Sequence, residues 1–176
     1  ASGGTGAAAI QLGKLMGARV LAVASTPEKQ RYARQKGADE VLGYDGLKEA
    51  IKSLGGADII FDPVGGQVSE TVFRTLHPGG RHLVVGFASG QIPAIPFNLP
   101  LLKSASIVGV YWGGFWRANP EDNRRNILQV LNWFDQGKLT SEPSMTYQLE
   151  DGVRGIRDLM TREAVGRVIL VIGQNR

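Results

Sequence analysis

The sequence predicts an α/β fold built on a doubly wound parallel sheet, and three observations carry that prediction. A glycine-rich turn, Ala1-Ser2-Gly3-Gly4-Thr5-Gly6, runs directly into the helical stretch Ala7-Ala8-Ala9-Ile10-Gln11-Leu12. Short and nearly continuous apolar runs recur down the chain, as expected of parallel strands covered by helices on both faces. Helical stretches joined by short loops separate them, which is the alternation a parallel sheet needs.

Taken in order, Ala8, Ile10, Leu12, Leu15 and Met16 give the first helix a buried face, and Gly17 ends it with a left-handed cap. Arg19 to Ala24 reads as a strand. Thr26 then caps a helix with Pro27 in its first position, and Gly37 closes it after Lys36. A short strand around Glu40 to Tyr44 precedes a helix from about Gly46 to Leu54, closed by Gly55-Gly56. Ala57 to Asp62 reads as a buried strand, Pro63-Val64-Gly65-Gly66 as its exit loop, and Val68 to Leu76 as a helix stopped by Pro78-Gly79-Gly80. Arg81 to Phe87 is the next strand. The Pro- and Gly-rich stretch Ala88 to Pro100 is a loop with a short helix at Leu99 to Ser104, and Ser106 to Trp112 is the last strand of the sheet. A long amphipathic helix follows from Glu121 to Gln136, with Ile127, Leu128, Leu131 and Phe134 as its buried stripe. Beyond Gly137 the pattern changes to a strand near Met145 to Tyr147, a helix from about Glu150 to Arg162 and the strand Val168 to Ile172.

Composition narrows the function. With 176 residues, 43% of them hydrophobic, the chain can bury one substantial core. It has no cysteine, and His77 and His82 have no ligand cluster around them, so no disulfide framework or structural zinc site is expected and no metal ligand is assigned. The net charge of +4 is spread along the chain without a basic block, which does not predict nucleic-acid binding. No apolar run is long enough for a membrane span and no signal-like segment opens the chain, so a cytoplasmic setting is expected.

The glycine turn fits G-x-G-x-x-G with Ala1 in the first position. Gly3 and Gly4 would let the backbone turn tightly and approach a pyrophosphate, Gly6 would let the helix pack on a strand, and the helix N-terminus would face the anion. The plain alternative is a glycine-rich helix start with no ligand. A dinucleotide turn should also follow a strand, so a strand is expected before Ala1 that this sequence does not contain.

Together these segments resemble the nucleotide-binding half of a medium-chain dehydrogenase/reductase, most closely the zinc-independent NADPH:quinone oxidoreductases related to zeta-crystallin and the quinone oxidoreductase-like branch. The carriers are the opening turn, Lys36-Gly37-Ala38-Asp39, Asp62-Pro63-Val64-Gly65-Gly66, Pro78-Gly79-Gly80-Arg81 with Val84-Val85-Gly86-Phe87, Ile92 to Lys103 and Gly109-Val110-Tyr111-Trp112-Gly113. Val165 to Leu170 resembles the family's closing strand. The resemblance implies a Rossmann domain over 1–141, lacking its first central strand, and a segment of the catalytic domain over 142–176. It leaves a gap between the strands at Arg19 and Ala57. It also implies hydride transfer from NADP(H) to a small acceptor, a quinone or an enone, with a non-catalytic nucleotide-binding or structural role as the competing class.

For the cofactor, Ser2, Gly3, Gly4 and Thr5 are assigned to the phosphates. Where an acidic residue would bind the ribose of NAD, Ser25 stands instead, leaving room for a 2′-phosphate that Lys29 could meet; this favours NADP over NAD. A solvated helix lysine is the alternative for Lys29. The resemblance adds Tyr44 beside the adenosine phosphate, with Gly43 replacing the usual Asn, and Arg162 near the cofactor phosphates, where a surface arginine is an equal reading. Val64, Gly65, Gly86 and Phe87 follow strands at carboxyl ends, where such sheets bind ligands. The family orients the nicotinamide around the Gly86-Phe87 position; for Phe87, core packing is the alternative. No catalytic residue is assigned, since the cofactor carries the chemistry. Tyr32-x-x-x-Lys36 and Tyr44-x-x-x-Lys48 look like a short-chain dehydrogenase pair but stand too close to the glycine turn. The outer strand 106–112 is expected to pair with its copy in a homodimer.

Overall fold

The computed structural model describes residues 1–173. The chain is mixed α/β with every strand pair parallel, and its strands fall into three sheets, β1-β2, β3-β4-β5 and β6-β7. It divides into two compact units, Ala1–Gly43 with the chain from Val130 onward, and Tyr44–Gln129.

In the first unit, α1 (Gly4–Leu15) leads to β1 (Leu21–Val23), α2 (Pro27–Gln35) and β2 (Glu40–Leu42). Gly17 at φ +82° ends α1 as expected, because only glycine takes that conformation without strain. The predicted cap of α2 forms: Thr26 Oγ1 accepts from Lys29 N at 3.3 Å and Pro27 opens the helix. Leu21, Ala22 and Val23 pair with Glu40, Val41 and Leu42. Ile10, Ala22, Ala33 and Ala38 form the core, with Val20 and Val41 at its edge. Asp39 ties the unit together, accepting from Lys14 Nζ at 2.7 Å and from Val20 N at 2.7 Å. Met16 lies outside the buried face assigned to it, at 78% exposure, because the helix ends at Leu15 and turns it to the surface. Later in the chain β6 (Met145–Gln148) pairs with β7 (Val168–Val171), and α8 (Gly152–Met160) connects them after a single 3-10 turn at Leu149–Asp151.

In the second unit, α3 (Leu47–Ser53) precedes β3 (Ala57–Asp62), α4 (Gln67–Phe73), β4 (Leu76–Val84), α5 (Asn98–Lys103), β5 (Ser106–Gly109) and α6 (Trp112–Ala118). Phe73, Leu76 and Leu99 form the core, packed by Ala57, Ile60, Ile95 and Ala105. Pro78-Gly79-Gly80, read as a helix stop, lies inside β4 as an irregularity: Ala57 pairs with Leu76 but Ile59 pairs with Arg81. Gly79 at φ +79° makes that bulge possible. β3 is not buried on both faces. Ile59 and Phe61 are 51% and 41% exposed, because the core lies on the face that carries Ile60.

Two further expectations change. The last strand stops at Gly109, and Trp112 opens α6 instead, where Gly113 and Gly114 lie so close to the Tyr111 ring that a side chain on either would crowd it. α7 (Pro120–Asp135) forms as expected, but Ile127, Leu128, Leu131 and Phe134 are between 39% and 54% exposed. Periodicity identified the apolar stripe, which is left about half exposed. Among the described residues no helix is long and apolar enough to cross a membrane.

Candidate functional site

The glycine turn sits at the start of α1 in the first unit. Gly3 is the N-cap, with extended backbone at φ −89° and ψ 173°; no side chain caps the helix and no acidic residue occupies its first turn. That combination leaves the positive end of the helix free of a built-in anion. The three glycines differ in what they permit. A Cβ on Gly3 would meet nothing, so the turn is open there, whereas a Cβ on Gly6 would sit 2.7 Å from the Ala1 backbone. Gly6 is therefore the position where the helix and the segment entering the turn approach too closely for a side chain.

Three residues that sequence reasoning proposed from distant positions lie in this same unit: Ser25, Lys29 and Arg162. Ser25 is exposed after β1. Lys29 is half-buried and its ammonium donates to the Arg162 carbonyl at 2.5 Å. This contact accounts for one of its three protons and leaves others for an anion. Arg162 is in the left-handed region at φ +61°, an uncommon state for a residue with a Cβ.

Sequence reasoning missed the chain just beyond it. Gly166 N donates to Ser2 O at 2.6 Å and Gly166 bridges Gly3 as a parallel neighbour, so the loop before β7 lies beside the turn. Gly166 has φ +74°, and a Cβ there would collide with Ser144 and Tyr32. A glycine before an apolar strand was the available signal. Lys36 stands over the Tyr32 ring at 5.5 Å, a cation–π contact that gives this Tyr/Lys pair a packing role. A cavity of about 150 Å³ in the same unit runs beside Gly4, Gln11, Tyr32, Lys36 and Arg167, and of the assigned cofactor residues it includes only Gly4.

In the second unit the loops after β3 and β4 are zipped together by backbone. Ala88 N donates to Pro63 O at 3.1 Å, Ser89 N to Val64 O at 2.9 Å and Gly66 N to Gln91 O at 3.0 Å. This brings Val64, Gly65, Gly86 and Phe87 to one place. Gly65, at φ +69°, lies against Phe87: a Cβ on it would be 2.8 Å from Phe87 Cδ1. The packing reading for Phe87 and a ligand role are thus compatible, since the ring is 41% exposed. Tyr44, also of this unit, is 42% exposed.

Beneath these loops lies a buried polar group that sequence reasoning did not single out. Asp62, 7% exposed, accepts from Val64 N and Gly65 N at 2.9 Å each, from Ser69 Oγ at 2.6 Å and from His82 Nε2 at 3.1 Å. Burial by itself raises its pKa, but the hydrogen bonds from His82, Ser69, Gly65 and Val64 outweigh it and hold the carboxyl well below the usual range. Among the described residues no group of three or more His, Asp or Glu side chains could hold a metal ion.

A family model described as zinc-binding dehydrogenase matches residues 4–133. Quinone oxidoreductase-like protein 2 of Bos taurus is 34% identical over 97% of this chain and 50% of its own length. Acryloyl-coenzyme A reductase of Sulfurisphaera tokodaii is 28% identical over 97% of this chain and 48% of its own. A mycobacterial protein whose structure is complexed with NADPH superposes with a TM-score of 0.88 at 26% identity, covering 97% of this chain and 54% of that one. The chain spans about half the length of the curated relatives it matches.

Proposed function

The chain belongs to the zinc-binding dehydrogenase family, the nucleotide-binding part of the medium-chain dehydrogenase/reductases, and from that premise we propose that it binds NADPH for an oxidoreductase of the quinone reductase type. The observation that carries this reading is the start of α1: a helix N-terminus with no side-chain cap, no acidic first turn and open space at Gly3. Such an end is suited to a pyrophosphate. The NADPH bound by the mycobacterial neighbour supports the same choice of cofactor.

When bound, the cofactor supplies a hydride to a small acceptor. The residues of this chain do the holding. Backbone N–H groups of Ser2, Gly3, Gly4 and Thr5 take the phosphates; Ser25 and Lys29 take the 2′-phosphate; Arg162 adds charge and Tyr44 covers the adenosine side. Val64, Gly65, Gly86 and Phe87 orient the nicotinamide end through backbone and ring contact. The family's description names zinc; this chain contributes no cysteine, and its described residues hold no metal-ligand cluster. The acceptor is a quinone; the relative named as a reductase of acryloyl-coenzyme A favours an activated alkene as the second reading. Residues 142–176 are proposed as the segment that completes a catalytic domain.

Fluorescence titration of the chain with NADPH and NADH tests this. NADPH is expected to bind about tenfold more tightly, the worth of one charge-assisted contact to the 2′-phosphate; equal affinities would remove the Ser25 and Lys29 assignment, and no binding of either would remove the function.

We also propose a homodimer through β5, whose four residues Ser106–Gly109 are all exposed and whose only strand partner among the described residues is β4. Sedimentation should give twice the chain mass, and a monomer at assay concentration would end the idea.

A further inference from the structure

Asp62 uses both carboxylate oxygens, and their partners come from three different elements. Oδ1 accepts the two loop amides, Val64 N and Gly65 N, while Oδ2 accepts the Ser69 hydroxyl from α4 and the His82 imidazole from β4. Ser69 and His82 are 0% and 1% exposed. The other ring nitrogen, His82 Nδ1, is buried without a partner. A buried polar atom left unpaired is costly, and here that cost accompanies an Nε2–H directed at Asp62. The trio has the composition of a hydrolytic triad but the wrong order. Ser69 donates to the carboxylate rather than to the imidazole, and no solvent reaches its hydroxyl.

We propose that Asp62 is a positioning residue. Its Oδ1 fixes the left-handed Gly65 turn against Phe87, and Ser69 and His82 hold the carboxylate still, so that the backbone of this loop is preorganised for the nicotinamide end of the cofactor. This rests on the cofactor reading above. A carboxylate suits the task better than an amide, because all four of its neighbours donate and an amide would present a donor of its own to two of them. Its ionised form is favoured in place, with the carboxyl held well below the usual range against the effect of burial.

The test compares the wild-type chain with Asp62→Asn and Ser69→Ala, the second kept as the readout should the first not fold. Amide hydrogen exchange over residues 64–66 should rise about tenfold in Asp62→Asn and less in Ser69→Ala, with α1 in the other unit unchanged. In parallel, NADPH affinity should fall about tenfold while that for 2′-phospho-ADP-ribose, which lacks the nicotinamide, stays within about twofold. A purely structural role would weaken both ligands alike, and that result would overturn the proposal, as would loop exchange identical to wild type. If the wild-type chain binds neither ligand, the cofactor reading fails and the nicotinamide half of the proposal with it. The exchange data then still decide whether Asp62 holds the loop.

Discussion

The two candidate loops of this protein are built by opposite means. The turn at Gly3 is made by backbone alone: an uncapped helix start, open at Gly3 and crowded at Gly6, with no side chain tying it down. The loop at Val64 and Gly65 is tied from beneath by one buried carboxylate with donors from a loop, a helix and a strand. The first can be written in glycines, which are visible in a sequence. The second depends on residues 7 and 20 positions apart in the chain meeting in a buried space.

The sharpest way to break the comparison is to titrate the carboxylate. Asp62 has a depressed pKa in the folded chain, so its contribution to stability is complete above the unfolded value near 4 and is lost as pH falls through the folded one. Asp62→Asn should cost about 3 kcal/mol at pH 7, the range for hydrogen bonds to a buried charge. The gap to wild type should narrow on acidification. Urea unfolding at pH 7 and pH 3 reads this, and a constant gap between the two proteins would show that the charge at Asp62 is not what holds the loop.

The glycine turn should respond more weakly and only at one position. Gly6→Ala brings a methyl to about 2.7 Å from the Ala1 backbone, so the turn must shift. The cost should be about 1.5 kcal/mol, as for other overpacked sites. Gly3→Ala meets open space and should leave stability within about 0.5 kcal/mol, because its φ of −89° suits any residue. Equal destabilisation by the two substitutions would mean that the turn is not held at Gly6.

This contrast also explains what could be read from the residues. The strand and helix alternation, the Thr26-Pro27 cap and the Gly17 and Gly37 stops were legible because each is a local rule with a residue type attached. The apolar stripe of α7 was legible as a stripe but not as an exposed one, since periodicity states which face is apolar and not what covers it. Ile59 and Phe61 follow the same logic on β3. In the site, Asp62 ahead of Gly65-Gly66 carried a faint signal, an Asp whose side chain can accept from amides two and three residues on. Ser69 and His82 carried none. The meeting of Lys29 with the Arg162 carbonyl, 133 residues away, was equally unreadable from spacing.

The smallest effect belongs to a second His–Asp pair, which makes a useful control because it is exposed. His77 Nδ1 meets Asp58 at 3.0 Å and its Nε2 meets the Gly55 carbonyl, beside the β4 bulge. The hydrogen bond to Asp58, then that to Gly55, raises the His77 pKa. A raised folded value means that the pair's stabilisation is complete below the unfolded pKa of about 6.5 and is lost as pH rises through the folded value. This is the reverse of Asp62, whose contribution disappears on the acid side. Solvent screens an exposed pair, so His77→Asn should change the pH dependence of unfolding only slightly, and only on the approach from neutral to alkaline pH. NMR titration of the His77 ring gives the direct measurement. A midpoint at or below that of a free histidine would break the pair, whereas a raised midpoint lost in Asp58→Asn would show that the same two residue types act as a surface contact here and as a loop anchor at Asp62.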